Sequence, residues 1–268
     1  MRLRRRVLGV GIDISATETG ELHAATGETA WSVCRHLGLV WVCAQHDLTG
    51  VPGLVEDDGF DSRHIVAQTR SVVRTDYDQA VLGLVDPAHV PMIHNAWWWR
   101  SAGKRRLKTK VYRPSDYGFT ATARDRFVSA PAYKILGDRV EVSIEFRLPS
   151  VRVERTVGTR GRILNLTAVT PIGRRGVVLR NVLYSDVAAL KPFAPVISGL
   201  GRIFLNQDAE ILRRFHPSVV GNHPRLFVGD PDRPSLWYYK AKDALVKAQA
   251  RGEAFVNPVE LAELSWTT

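Results

Sequence analysis

The chain has 268 residues, of which 45% are hydrophobic, with seven Trp, seven Tyr and nine Phe, enough for one sizeable core or for one domain plus a fragment. No run is long and apolar enough to span a membrane. The basic start Met1-Arg2-Leu3-Arg4-Arg5-Arg6 lacks an apolar stretch and a cleavage site behind it, and Cys34 and Cys43 make no disulfide framework; a cytoplasmic protein is expected. The net charge of +10 suits acidic partners or anionic ligands, and since no nucleic-acid motif accompanies it, neither nucleic acid nor membrane is expected as a partner.

Residues 1–48 carry short polar pieces punctuated by Gly20 and Gly27, then Gly38-Leu39-Val40-Trp41-Val42-Cys43, which reads as one buried strand. Residues 47–61, rich in Gly, Pro and Asp, read as a linker or long loop. Strand signals follow at 65–67 and 72–73, then a helix over 77–85 with Ala80, Val81, Leu84 and Val85 on one side. Strands are expected at 106–112, with Leu107, Thr109 and Val111 alternating against Arg106, Lys108 and Lys110. Others are expected at 118–127, 139–147, 151–153, 161–170 and 177–184. Alternating strands joined by short turns predict an antiparallel meander with one face buried. The C-terminal part reads as helical over 190–214, where Ile203, Phe204, Ile211, Leu212 and Phe215 fit a stripe, and over 235–250, with Trp237, Tyr238, Ala241, Leu245 and Ala248. The fold expected is α+β, a curved sheet wrapped around a long helix, enclosing an apolar cavity.

The chemistry concentrates in Asp86-Pro87-Ala88-His89-Val90-Pro91-Met92-Ile93-His94. Neutral imidazole is the commonest transition-metal ligand among side chains, and two of them with one carboxylate can occupy one face of iron(II), leaving other positions open. H-x4-H alone equally describes two structural histidines. The segment is otherwise apolar, where unpaired histidines are costly, and Asp86 is spaced to accept a hydrogen bond from a ligating His89. Phe204-Leu205-Asn206-Gln207-Asp208 places an acid on the long helix beside apolar neighbours. Pro87 and Pro91 put the histidines on a helix end or irregular turn. Trp97-Trp98-Trp99 reads as core and interface packing, and the basic run from Arg100 to Arg113 as the solvated face of a strand or a docking surface for an acidic ferredoxin.

Asp86-x2-His89-x4-His94 resembles the mononuclear iron motif of the Rieske non-haem iron oxygenase α subunits, the aromatic-ring hydroxylases. Leu84-Val85-Asp86-Pro87-Ala88-His89-Val90-Pro91 is similar to the vanillate O-demethylase and pheophorbide a oxygenase branch, and Phe204 to Asp208 to the third-ligand segment. The resemblance runs from about Trp31 to Pro258. It implies a helix-grip, START-like catalytic domain at 49–268 with Fe(2+) held by His89, His94 and Asp208. It also implies that Asp86 bridges to a cluster-ligating histidine of a neighbouring subunit, and a trimeric assembly. Dioxygen, a ferredoxin or reductase fed by NAD(P)H, and an aromatic or hydrophobic substrate would be its partners.

Two departures stand out. Gly83 occupies a place where the family often has Asn. The [2Fe-2S] Rieske cluster needs two Cys and two His, presented as C-x-H and C-x2-H after a longer gap. Here Cys34-Arg35-His36 and Cys43-Ala44-Gln45-His46 are separated by six residues that read as one strand, too short a span for two cluster loops. The two thiols are then expected to be buried or half-buried. Residues 1–48 are expected to be a remnant of a Rieske-type domain without its cluster ligands, the start being truncated or the cluster sitting on another polypeptide. A helix-grip protein that merely holds a hydrophobic ligand, or an inactive remnant, is the alternative reading.

Overall fold

The computed structural model describes residues 2–45, 48, 51–89, 93, 107–123, 131–137, 139–214 and 226–267. Strands β1 (Arg2–Val7), β2 (Val10–Ala16), β3 (Leu22–Thr26), β4 (Thr29–His36) and β5 (Leu39–Cys43) form an antiparallel five-stranded meander. Only the last of these was expected. The turns Leu8-Gly9 and Leu37-Gly38 hold both residues at positive φ, the two-residue geometry that matches the twist of paired strands. A leucine in the first of those places hides the hairpin signal, since a β-hairpin reader looks for Asn or Asp there. Ile12, Ile14 and Ala24 are the buried centre of this sheet.

The second sheet is built from β6 (Ile65–Val73), β7 (Leu107–Ser115), β8 (Gly118–Ala123), β9 (Glu141–Arg147), β10 (Val151–Gly158), β11 (Gly161–Gly173), β12 (Gly176–Ser185) and β13 (Ala262–Thr267). All neighbours are antiparallel, in the order β13-β7-β8-β9-β10-β11-β12-β6. The meander from β7 to β12 follows the expected order, with β10 longer than foreseen. The C-terminal strand β13, which pairs Ala262 with Tyr112 through Thr267 with Leu107, was not foreseen. Helices α1 (Tyr77–Val85), α2 (Ala194–Arg214) and α3 (Arg233–Arg251) pack on the inner face. This is the α+β architecture expected, a curled antiparallel sheet against a long helix.

The strands differ from the one-buried-face expectation, because both faces are covered. Inside, Tyr112, Phe119, Phe146, Val169 and Leu179 pack with Leu205 and Ala209 of α2 and with Trp237, Tyr238 and Ala241 of α3. The α3 residues are those the sequence marked. On α2 the buried stripe is Leu205, Ala209 and Leu212, while Ile203 is exposed, because this helix rides along β6 and the cavity on a different side than its largest apolar residues suggest. Outside, Val153, Leu164, Leu166, Val182 and Tyr184 pack with Leu37, Val55 and Phe60 from the preceding segments. The Tyr184 hydroxyl donates to the Leu37 carbonyl at 2.7 Å, which fastens the β4–β5 turn to the sheet.

The 51–61 segment is pinned to the same outer face by charge. Arg155 donates to Asp58 at 2.5 Å and to Glu145 at 2.7 Å, and Arg147 reaches Glu145 at 3.1 Å and the carbonyls of Gly53 and Leu54 at 3.2 Å. Removing one member of a partly buried set leaves Glu145, which is 8% exposed, short of a partner. Arg155→Leu is therefore expected to cost about 2–3 kcal/mol, lowering the thermal midpoint by roughly 4–10 °C and opening residues 51–61 to protease. A midpoint within 1 °C of wild type, on the order of measurement error, contradicts this.

One sequence expectation needs correction. Residues 188–214 contain an 18-residue window of mean hydropathy 1.2, which matches a membrane span by length and composition. Pro192 falls in a 3-10 turn at Ala188–Phe193 and Pro195 in the first turn of α2, where proline is tolerated, so neither interrupts the helix. Leu205, Ala209 and Leu212 of this helix are buried in the core of the sheet domain.

Candidate metal centre and cavity

Helix α1 brings the Asp86–His89 segment to the inner face. Asp76 caps it, accepting from the N–H groups of Asp78 and Gln79 at 3.0 and 3.4 Å. Asp78 in its first turn receives the Tyr238 hydroxyl at 2.6 Å and the Lys242 ammonium at 2.5 Å, so α3 holds α1 by its start. Burial pushes the Tyr238 phenol far up, and its bond to Asp78 reinforces this. The phenol stays protonated as a donor. The helix ends at Val85, with Asp86 extended, as Pro87 demands.

His89 Nδ1–H donates to the Asp86 backbone carbonyl at 2.6 Å. The Asp86 carboxylate is engaged elsewhere, with Oδ1 accepting the Ala88 N–H at 2.7 Å. The expected support of His89 by Asp86 is thus present but comes from the main chain, because the tight turn after α1 folds the carboxylate back onto Ala88. A carbonyl acceptor places the proton on Nδ1 and presents the Nε2 lone pair. Nε2 lies 3.9 Å from Asp208 Oδ1 of α2. Two donors about 2.1 Å from one ion are separated by about 3.0 Å at a right angle and about 4.2 Å in line. The observed span admits a shared ion, and a right-angled arrangement requires the pair to close by about 1 Å. His94 lies outside the described residues. Among the described residues no group of three or more His, Cys, Asp or Glu side chains is placed to hold a metal ion.

The pair opens on a cavity of about 430 Å³, walled by Leu82, Leu84, Leu179, Leu205 and Ile211 and floored by Thr167. This is the size of a cavity for a small organic ligand. Gly83 also faces it, and a Cβ there would meet nothing within 4 Å, so the absent Asn side chain leaves open space.

The other sequence candidates are placed as follows. Cys34 is exposed and Cys43 half-buried. Cys34 corrects the expectation of covered thiols, because the β4–β5 hairpin lies at the edge of its small sheet. Cys34 stands opposite Trp41 and Cys43 opposite Ser32, and His36 Nε2–H donates to the Val55 carbonyl at 2.6 Å. His46, Trp97 to Trp99 and Arg100 to Arg106 lie outside the described residues.

In β7 the expected alternation is reversed. Leu107 is 71% exposed, and Tyr112, with Lys110 two residues before it, faces the core. The cause is β13, whose pairing fixes the register of β7 so that Lys110 and Tyr112 point inward. Lys110 there is drawn into a polar group that sequence reasoning missed. Arg152 donates to Glu154 at 2.7 Å and the Tyr133 hydroxyl donates to the other Glu154 oxygen at 2.5 Å. Burial works to raise the Glu154 carboxyl, but Arg152, the Tyr133 bond and Lys110 outweigh it and hold it below its usual range. Burial pushes the Lys110 ammonium down to about 8; Glu154 opposes this, and Arg152 and Lys108 add to it. The signal was an Arg and a Glu at alternate positions of a strand whose register puts them beside Phe146.

A lysine with a lowered folded value destabilises the protein wherever it is forced to be charged. The penalty is complete below about pH 8 and fades as pH rises toward the ordinary lysine range, where the unfolded chain also loses its proton. Lys110→Met is therefore expected to stabilise by about 1–2 kcal/mol at pH 7, or roughly 3–6 °C, and by much less at pH 10. Equal gains at both pH values, or a loss at pH 7, contradict this.

No family model and no curated protein matches the sequence. Solved structures do match, and what they share with this chain is the α+β fold. Dicamba monooxygenase with non-heme iron and dicamba is similar over 94% of this chain and 94% of its own, with a TM-score of 0.67 and 13% identity. The same enzyme bound to 3,6-dichlorosalicylic acid gives 0.68 and 12%, covering 93% and 94%. Pseudomonas putida CBB5 NdmA QL mutant with caffeine gives 0.61 and 10%, covering 93% and 85%. At these identities the likeness is one of fold.

Proposed function

We propose that the chain is the oxygenase component of a Rieske-type non-haem iron system. It would draw electrons from NAD(P)H through a reductase and an iron–sulfur centre, and use dioxygen to hydroxylate or demethylate an aromatic or hydrophobic substrate. The observation that carries this is the His89 Nε2 to Asp208 Oδ1 span of 3.9 Å at the mouth of an apolar cavity. A neutral imidazole nitrogen and a carboxylate oxygen at that distance can take a cation between them. Fold similarity to monooxygenases, one of them with non-heme iron, supports the same reading.

In this reading His89, His94 and Asp208 hold iron(II), which when bound supplies open positions and redox chemistry for dioxygen. The Asp86 carbonyl fixes the His89 tautomer, and the Asp86 carboxylate is the bridge toward a cluster-bearing neighbour in a trimer. Leu82, Leu84, Leu205 and Ile211 keep water from the substrate and orient it by shape. Residues 1–48 are a Rieske-type domain remnant, and the [2Fe-2S] cluster belongs to a partner.

Anaerobic titration of the metal-free chain with iron(II) tests this. One equivalent of saturable iron per chain is expected. A chain that takes up no iron yet binds aromatic ligands is a hydrophobic container instead.

A further inference from the structure

Two arginines on the outer face of the large sheet stand directly opposite each other. Arg180 of β12 pairs with Arg70 of β6. Side chains alternate along a strand, and Val182, two residues beyond Arg180, packs with Leu37, Val55 and Phe60 on the outside. Arg180 and Arg70 therefore share that face. Thr69 and Ser71, on either side of Arg70, are buried, which turns Arg70 outward. Residues facing each other on neighbouring strands hold their Cβ atoms about 5 Å apart, and like charges so placed repel.

A third arginine reaches the pair from the small sheet. The Leu8 N–H donates to the Pro171 carbonyl at 2.7 Å, which seats the β1–β2 turn on the end of β11. Pro171 in turn stands opposite Val177, three residues before Arg180. Arg5 precedes Leu8 by three residues and lies opposite Ile12, which is 0% exposed, so it shares the inward face of β1 with Val7. Burial pushes the Arg180 guanidinium down, and Arg70 and Arg5 add to the push. Arg180 is half-buried, and no carboxylate is among the groups that act on it. Among the described residues neither Arg70 nor Arg180 has a hydrogen bond or an ion pair.

The same sheet does place acids beside its other arginines. Arg147 and Arg155 meet Glu145, Arg152 meets Glu154 and Arg162 meets Asp186. At the seam of the two sheets the acid is missing and three cations gather instead. Guanidinium presents a planar fork of donors that matches oxyanions. A phosphate group carries close to two charges and three acceptor oxygens, so it can meet several forks at once, which a lone carboxylate with two oxygens cannot.

We propose that Arg5, Arg70 and Arg180 form an anion site for a phosphate group at the seam of the two sheets, on the face of the large sheet away from His89 and Asp208. Bound there, the phosphate joins β1 to β12 and β6 and so ties the small sheet to the large one. The site stands whether or not the chain holds iron.

The test is thermal unfolding of the full chain in potassium phosphate against potassium chloride at equal ionic strength and pH. The wild-type midpoint is expected to rise by about 3–5 °C, saturably, once phosphate exceeds its dissociation constant about tenfold. Phosphate also strengthens apolar burial in general, so Arg174→Gln, at an exposed position in the β11–β12 turn, sets the baseline and should respond as wild type does. Arg180→Gln should lose the saturable response. In chloride it should melt no lower than wild type, and about 1–3 °C higher if the repulsion is fully relieved, whereas loss of a merely structural arginine lowers the midpoint in both salts. Arg180→Lys keeps the charge without the fork and should weaken phosphate by about threefold or more. An equal phosphate response in wild type and Arg180→Gln, or a lower midpoint for Arg180→Gln in chloride, overturns the proposal. Flotation with vesicles of phosphatidylcholine and phosphatidic acid then gives the source. Wild type carried by vesicles and Arg180→Gln left behind identifies a lipid headgroup, and both left in solution identifies a soluble phosphate.

Discussion

His89→Ala is expected to abolish iron binding while the fold survives. Reconstituted with iron(II), wild type should hold close to one iron per chain and the variant about a tenth of that or less. The reasoning is local. His89 Nδ1 is fixed by the Asp86 carbonyl, so its Nε2 is turned toward Asp208, and alanine removes that donor. The variant's circular dichroism should match wild type, because the inner core is made by Phe119, Phe146, Trp237 and Tyr238, not by this ring. Asp86→Asn is the control. Its carbonyl still orients His89 and its side-chain oxygen still accepts from Ala88, so iron should remain while turnover stops if the carboxylate is the bridge. Full iron in His89→Ala, or a simple loss of stability with no change in iron, would falsify the shared-ion reading and make the pair an ordinary ion pair.

Gly118→Ala is expected to damage the fold itself. A Cβ at Gly118 would sit 2.0 Å from the Phe146 carbonyl oxygen, a backbone atom that cannot step aside. Gly118 opens β8 opposite Arg147, and the same pair of strands carries Phe119 and Phe146 on the inner face. Pushing the strands apart therefore disturbs the aromatic packing under α3, where the Phe119 and Phe146 rings are 5.5 Å apart. A cost of about 3 kcal/mol or more is expected, on the order of a 6–12 °C fall in midpoint. Gly199→Ala, inside α2 with nothing within 4 Å, should instead gain about 0.5–1 kcal/mol. If the two variants melt alike, the close approach at Gly118 is not what holds the strands in place.

Some of this was legible from residue order alone. The α3 stripe of Trp237, Tyr238, Ala241, Leu245 and Ala248 is buried as its spacing says, because a helix packed by one face against a sheet must place every third or fourth residue inward. Helix α1 and the meander from β7 to β12 follow for the same kind of reason. Four of the first five strands did not show, since hairpins closed by Leu8-Gly9 and Leu37-Gly38 lack the usual turn residues. The His89 support came from a carbonyl, which every residue has and no sequence distinguishes.

Local periodicity determined helices α1 to α3 and the strands from β5 to β12, and residue chemistry marked Asp86, His89, His94 and Asp208 as candidates. Tertiary structure alone decided that Asp208 on α2 comes within 3.9 Å of His89, a contact between residues more than a hundred positions apart. It also decided that Lys110 and Arg152 turn inward. The facing of a strand depends on its register with a distant partner, here β13 on β7, and a one-residue slip would exchange inside for outside without altering a single letter of the pattern.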